Sequence, residues 1–286
     1  MTRLLQISDT HFGTEQPPVV EALAAMAAQQ RPDAVVLSGD ITQRARPAQF
    51  RAARAFLDRL GAPALVIPGN HDIALFDVWS RLVRPYARYA AVFGTELEPA
   101  LETPELLLLG VNTTRPWRHQ HGELSAAQIE RVARRLAAAG PRQLRVVVVH
   151  QPAAVTLPGD RRHLLRGHAQ ACQAWAAAGA DVLMGGHIHL PFALPLPGLP
   201  RRLCVVQAGT AVSSRVRPGA PNSVNLLHWR PPGAARGATA AEAPLAESGC
   251  VVERWDYTPA EAAFRPVHRT ALRPERPAPA GQGALP

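Results

Sequence analysis

Five short apolar runs, each ending in a loop that carries Asp, Asn or His, constrain this chain more than any other feature. Residues 4–7 lead into Ser8-Asp9-Thr10-His11, residues 34–37 into Ser38-Gly39-Asp40, and residues 64–67 into Pro68-Gly69-Asn70-His71-Asp72. Residues 144–149 lead into His150, and residues 181–184 into Gly185-Gly186-His187-Ile188-His189. Such continuous apolar runs are expected of strands covered on both faces. Helically spaced stretches separate them at 17–30, 47–60, 125–139 and 169–178, and Ser125 followed by Gln128 reads as a helix start. Strand, loop and helix in repeated order predict an α/β fold with its chemistry at the carboxyl ends of strands.

Taken singly, each loop has a plain structural reading. Asp9 suits a turn, Asn70 a left-handed backbone position, and His150 a satisfied buried ring. Within residues 185–189 an extended backbone would send the two rings to opposite faces. The glycines permit a turn that aims both at neighbouring ions. Five such loops exceed what turn chemistry requires. Nitrogen and oxygen donors without a thiolate suit divalent Mn, Fe or Zn.

The chain has 286 residues, 47% of them hydrophobic, enough for one large domain with a substantial core. That domain is expected over 1–268, with 231–249 a flexible Pro-, Gly- and Ala-rich loop and 269–286 a disordered tail. Residues 251–257 read as the returning strand of a hairpin with 224–229. The net charge of +9 rests on arginine alone, since no lysine occurs. It is spread along the chain, which predicts a solvated surface more than a nucleic-acid patch. Cys172, Cys204 and Cys250 are far apart and read as reduced, buried side chains. No apolar run reaches transmembrane length, and the strand-like start at residue 3 leaves no leader, so a cytoplasmic protein is expected. A homo-oligomer is left open.

The ordered set Asp9-x-His11, Gly39-Asp40, Gly69-Asn70-His71-Asp72, His150 and Gly186-His187-x-His189 resembles the calcineurin-like metallophosphoesterases over residues 4–190. The resemblance implies a sandwich of two mixed β-sheets flanked by helices, with two divalent ions between loops. By position, Asp9, His11 and His189 would hold the first ion and Asn70, His150 and His187 the second, with Asp40 bridging both. It also implies a phosphoesterase in which a hydroxide shared by the ions attacks phosphorus in line. His71 would protonate the leaving alkoxide, oriented by Asp72. A metal-binding scaffold without turnover makes no demand for His71 beside seven ligands.

The substrate is less constrained. The phosphoprotein-phosphatase branch reads GDxxDRG, and Gln43 stands where its second Asp would be, which counts against that branch. His150-Gln151 resembles the nuclease branch, but the residues after 225 do not read as its DNA-capping region. The stretch from Gly209 through Arg215, Arg217 and Asn222 resembles small bacterial members described as cyclic-nucleotide phosphodiesterase-like. A small phosphodiester such as a 3',5'-cyclic nucleotide is therefore expected, with a nucleotide-linked lipid pyrophosphate as the alternative. Arg115, Arg215, Arg217 and His163 are the candidate substrate contacts, with His119, His121 and Arg166 as further rim positions. Residues 79–93, read as one surface helix, and the loop 117–122 are the candidate lids.

Overall fold

The computed structural model describes residues 1–75, 77–233 and 249–275. Its first sheet contains β1 (Thr2–Ile7), β2 (Ala34–Ser38), β3 (Ala64–Ile67), β10 (Ser223–Trp229), β11 (Cys250–Thr258) and β12 (Ala263–Ala271), in the order β12-β11-β10-β1-β2-β3. Its second contains β4 (Ala100–Glu102), β5 (Leu106–Gly110), β6 (Leu144–Val148), β7 (Val182–Gly185), β8 (Phe192–Pro195) and β9 (Cys204–Gln207), in the order β4-β5-β6-β7-β9-β8. Both sheets are mixed. β1, β2 and β3 run parallel, as do β5, β6, β7 and β9, and the antiparallel strands lie outside them.

Alternation along each strand builds three apolar layers. Leu4, Val36 and Leu65 of the first sheet pack against Leu108, Val146, Val148 and Met184 of the second, between the sheets. The neighbouring Leu5, Ile7, Val35 and Leu37 face outward, where α1 (Pro17–Gln30) and α2 (Pro47–Arg59) cover them through Leu23, Met26, Phe50 and Phe56. On the far side α5 (Ala126–Ala137) and α6 (His168–Ala177) cover Val147, Val149 and Leu183 through Ile129, Val132 and Trp175. Strands buried on both faces account for the unbroken apolar runs. The three cysteines are free and buried.

Two expectations need correction. Residues 79–93 are not one helix but α3 (Val78–Val83) and α4 (Ala87–Phe93). Pro85 lacks an N–H and drives Arg84 out of helical geometry, to φ −144 and ψ 61. α4 is anchored by Tyr89, whose hydroxyl donates to the Val66 carbonyl at 2.9 Å, whereas α3 buries no residue. Nor is 269–275 a loose tail. β12 pairs with β11 through Ala271, and Leu272 is buried between the sheets. The expected loop at 231–249 and the rest of the expected tail fall almost wholly outside the described residues. No described helix is long and apolar enough to cross a membrane.

Candidate metal centre

The loops after β1, β2, β3, β6 and β7 meet along one edge of the sandwich. Their backbone is unusual. Among the described residues nine non-glycines have positive φ, and five of them are Asp9, His11, Asp40, His187 and His189, at 52°, 42°, 47°, 73° and 55°. A left-handed residue with a side chain costs of order 1–3 kcal/mol and clusters at functional sites. The left-handed turns at His187 and His189 remove the extended-strand problem: one ring reaches His150, the other Asp9. Beneath them lies a buried amide network. Gln6 Nε2 donates to the Gly185 carbonyl at 3.0 Å, Gln207 Nε2 donates to the Gly186 carbonyl, and Asn225 Nδ2 donates to Gln6 Oε1 at 3.0 Å.

Gly186 is required by space. A Cβ there would meet Ser8 Oγ at 2.0 Å and Asp9 Oδ2 at 2.5 Å. Gly186→Ala is therefore expected to displace Asp9 and weaken Mn binding by ~10–100-fold, the usual cost of disturbing a ligand's support. Titrating metal into the chelator-treated variant measures it, and an unchanged isotherm would show that Asp9 is no ligand.

Three groups of donor atoms, each mutually within 4.8 Å, overlap: Asp9, His11 and His189; His11, Asp40 and His71; Asp40, His150 and His187. Asp40 joins them. Its Oδ1 is 3.2 Å from His150 Nε2 and its Oδ2 3.8 Å from His11 Nε2. Asn70 Oδ1 also lies 3.2 Å from His150 Nε2, and Asp9 Oδ1 is 3.3 Å from His189 Nε2.

The hydrogen bonds behind the rings show what these atoms require. His150 Nδ1–H donates to the Ser38 carbonyl at 2.8 Å, and His189 Nδ1–H to the Arg215 carbonyl at 2.6 Å. Each ring thereby points Nε2 at carboxylate or amide oxygens, where either a proton on the ring or a bound cation must supply positive charge. Converging acceptors repel unless a positive charge lies among them. His187 Nδ1 is buried without a hydrogen-bond partner. The donor set thus fits divalent ions.

Electrostatics agree with that demand. Burial opposes charge on Asp9, but His189 overrides it and brings its pKa to about 2. Burial likewise opposes charge on Asp40, yet His150 and His71 hold it well below the usual carboxylate range. Burial would lower His150, but the Asp40 carboxylate pushes it up to about 9. Burial lowers His11 and His187 to about 3, which keeps them neutral as ligands must be.

All seven expected ligands, Asp9, His11, Asp40, Asn70, His150, His187 and His189, come together, with His71 at their margin. Asp72 does not orient His71. Its oxygens accept from the N–H groups of Gly69, Ile41 and Thr42 and from Thr42 Oγ1, so it ties the β2 and β3 loops together. Burial, then Asp40, raises its pKa to about 6. The His71 ring is held by the Gln43 carbonyl, 3.0 Å from Nδ1, while Arg215 donates to His71 Nε2 at 3.1 Å and to Gln43 Oε1 at 3.1 Å. Gln43, considered in the sequence only as a missing Asp, was overlooked because its main-chain role leaves no signal in residue type.

A cleft of about 350 Å³ over the donors is lined by Asp40, His71, His163, His187, Arg215 and Arg217. Arg215 and His163 thus face it, His163 Nδ1 lying 3.1 Å from His187 Nε2. Arg217 is engaged by Asp160 at 2.9 Å and the Ile188 carbonyl at 3.1 Å. Arg115 is a correction. Its guanidinium bonds the carbonyls of Asn112 and Thr114 and Gln128 Oε1, which fastens the strand-end loop to α5. His119 lines an adjoining depression, and His121 and Arg166 line neither.

A two-sheet sandwich carrying His and Asp clusters at one edge fits a metallophosphoesterase. The calcineurin-like phosphoesterase family model matches residues 2–191, and the chain belongs to that family. The chain is 28% identical over 213 residues to the cAMP/cGMP dual specificity phosphodiesterase MT0825 of Mycobacterium tuberculosis, covering 70% of this chain and 64% of the relative, less than two thirds of its length. It is 28% identical over 204 residues to the 3',5'-cyclic adenosine monophosphate phosphodiesterase CpdA of Escherichia coli K12, covering 65% and 69%. The fold is similar to that of a dimetal phosphatase from Danio rerio, with TM-score 0.62 at 12% identity over 96% of this chain and 99% of that one.

Proposed function

We propose that the chain is a metal-dependent phosphodiesterase acting on a small diester, a 3',5'-cyclic nucleotide being the first class to test. The observation that carries this is the set of three donor clusters sharing Asp40 and His11 beneath an open cleft. Asp9, His11 and His189 would hold one divalent ion and Asn70, His150 and His187 another, with Asp40 common to both. Such ions, when bound, supply an activated water and neutralise phosphoryl charge.

The chain's own groups do the rest. Arg215 presents its guanidinium to a phosphoryl oxygen, a better acceptor than the imidazole it contacts in the free protein. Drawn off His71 Nε2, it frees that nitrogen to carry the proton the departing alkoxide needs. The Gln43 carbonyl fixes the ring by holding Nδ1–H. The relatives named as cyclic-nucleotide phosphodiesterases support the substrate class.

Turnover of bis-p-nitrophenyl phosphate with added Mn, followed by a panel of cyclic nucleotides, a UDP-linked lipid and single-stranded DNA, tests the proposal. Hydrolysis of monoesters with no diester turned over would sink it. One observation favours the second reading, a pyrophosphohydrolase of a nucleotide-linked lipid. Trp79, Leu82 and Trp117 are 74%, 70% and 71% exposed, an apolar surface suited to an acyl chain. A UDP-linked lipid preferred over every cyclic nucleotide would establish it.

A further inference from the structure

Beside the cleft over the donors lies a second depression of about 450 Å³, and Asn70 and His71 line both. His71 therefore stands at the junction of the two. The first is lined by the clustered donors Asp40, His187 and His189, whereas of the clustered residues only His71 reaches the second. Among the described residues its lining includes three arginines, Arg44, Arg46 and Arg88, with His119 and one carboxylate, Asp77, 2.6 Å from Arg88. Ile73, Ala74 and Leu75 add an apolar side. Arg44 and Arg46 are exposed and flank the buried Ala45 between the Asp40 loop and α2.

The geometry follows from the roles proposed above, on which this inference rests. In an in-line displacement the nucleophile and the leaving oxygen lie on opposite sides of phosphorus. If His71 meets the leaving oxygen, the alcohol that oxygen belongs to extends past His71, into the second depression. A cationic wall with an excess of arginine recognises anions, and guanidinium forks fit phosphate. The apolar side suits a sugar or base face.

We propose that this depression binds a second phosphate on the leaving-group side, so that the preferred diesters are those whose leaving alcohol carries a further phosphate, as in a 5'-phosphorylated dinucleotide. A cyclic mononucleotide has one phosphate and leaves the Arg44 and Arg46 wall unused. The metal centre sets the reaction and this wall grades the diesters.

Adenosine 3',5'-bisphosphate and adenosine 3'-monophosphate form a matched pair of substrate-like monoesters that keep the bond to the leaving oxygen and differ in that second phosphate alone. Binding of each to the Mn-loaded full chain is measured by titration calorimetry for wild type, Arg44→Gln/Arg46→Gln and Arg44→Lys/Arg46→Lys. The bisphosphate is expected to bind wild type about 10-fold more tightly, the Gln variant to lose that preference, and the Lys variant to keep part of it. Equal affinities in wild type, or a preference that survives in the Gln variant, would overturn the inference. Bis-p-nitrophenyl phosphate turnover by wild type is followed in parallel. Its absence would refute the phosphodiesterase reading, whereas the bisphosphate preference stands or falls on binding alone.

Discussion

Asp40→Ala is expected to lower Mn-dependent turnover of bis-p-nitrophenyl phosphate at least ~10³-fold and to prevent the chain from holding two ions. The carboxylate belongs to two of the three donor clusters, with one oxygen toward His150 and the other toward His11. Charge stabilisation by a two-ion clamp is worth several kcal/mol, and about 4 kcal/mol corresponds to that factor. A second loss adds to the first. Asp40 Oδ1 accepts the His71 N–H at 2.8 Å, so the same substitution loosens the loop bearing His71 and Asn70. Metal content by mass spectrometry, measured beside turnover, separates the two effects. A variant that keeps two ions per chain would show that Asp40 does not bridge. Asp40→Asn retains the hydrogen bond to His71 but loses the charge, and is expected to resemble Ala in metal content.

The five loops that carry the seven donors were legible because each closely follows an apolar strand and together they hold residue types that turn chemistry seldom needs in series, whereas the individual assignments came through the family resemblance. The parallel core of each sheet was legible for a related reason: strands covered on both faces must be apolar throughout. The outer strands were harder to read. β4 and β8 are short, only partly buried, and take their places by pairing with β5 and β9. β12 is exposed along most of its length, so its composition resembles a loop.

Arginine was the least legible residue. Arg115 and Arg215 sit in similar loops, yet one fastens carbonyls and the other faces the cleft. The choice depends on which oxygens the tertiary fold leaves unpaired. The amides of Gln6, Gln207 and Asn225 were overlooked for the same reason. Each sits within a strand, and the network that holds the Gly185–Gly186 turn joins residues up to 219 apart in sequence.

His71→Ala is expected to retain both ions and to lose turnover selectively, by at least ~100-fold on an alkyl diester such as 3',5'-cyclic AMP. Its ring contacts Arg215 and Gln43, and among the donors it meets Asp40 and His11 at the margin of the cluster. A residue that only supports the centre would slow every substrate alike. A proton donor is needed in proportion to the basicity of the leaving group. p-Nitrophenolate departs without a proton because its nitro group carries the charge, so the variant should lose far less on bis-p-nitrophenyl phosphate. The ratio of the two losses is the decisive measurement, with metal content as its control. Equal losses on both substrates would reduce His71 to a structural role, and Arg215 would become the group to test beside the leaving oxygen. Gln43 supplies the complementary check. Its side chain holds Arg215 while its carbonyl holds His71, so Gln43→Ala removes the first contact and spares the second. That variant is expected to raise KM for both diesters through a less well placed Arg215, while the leaving-group dependence of kcat stays that of wild type.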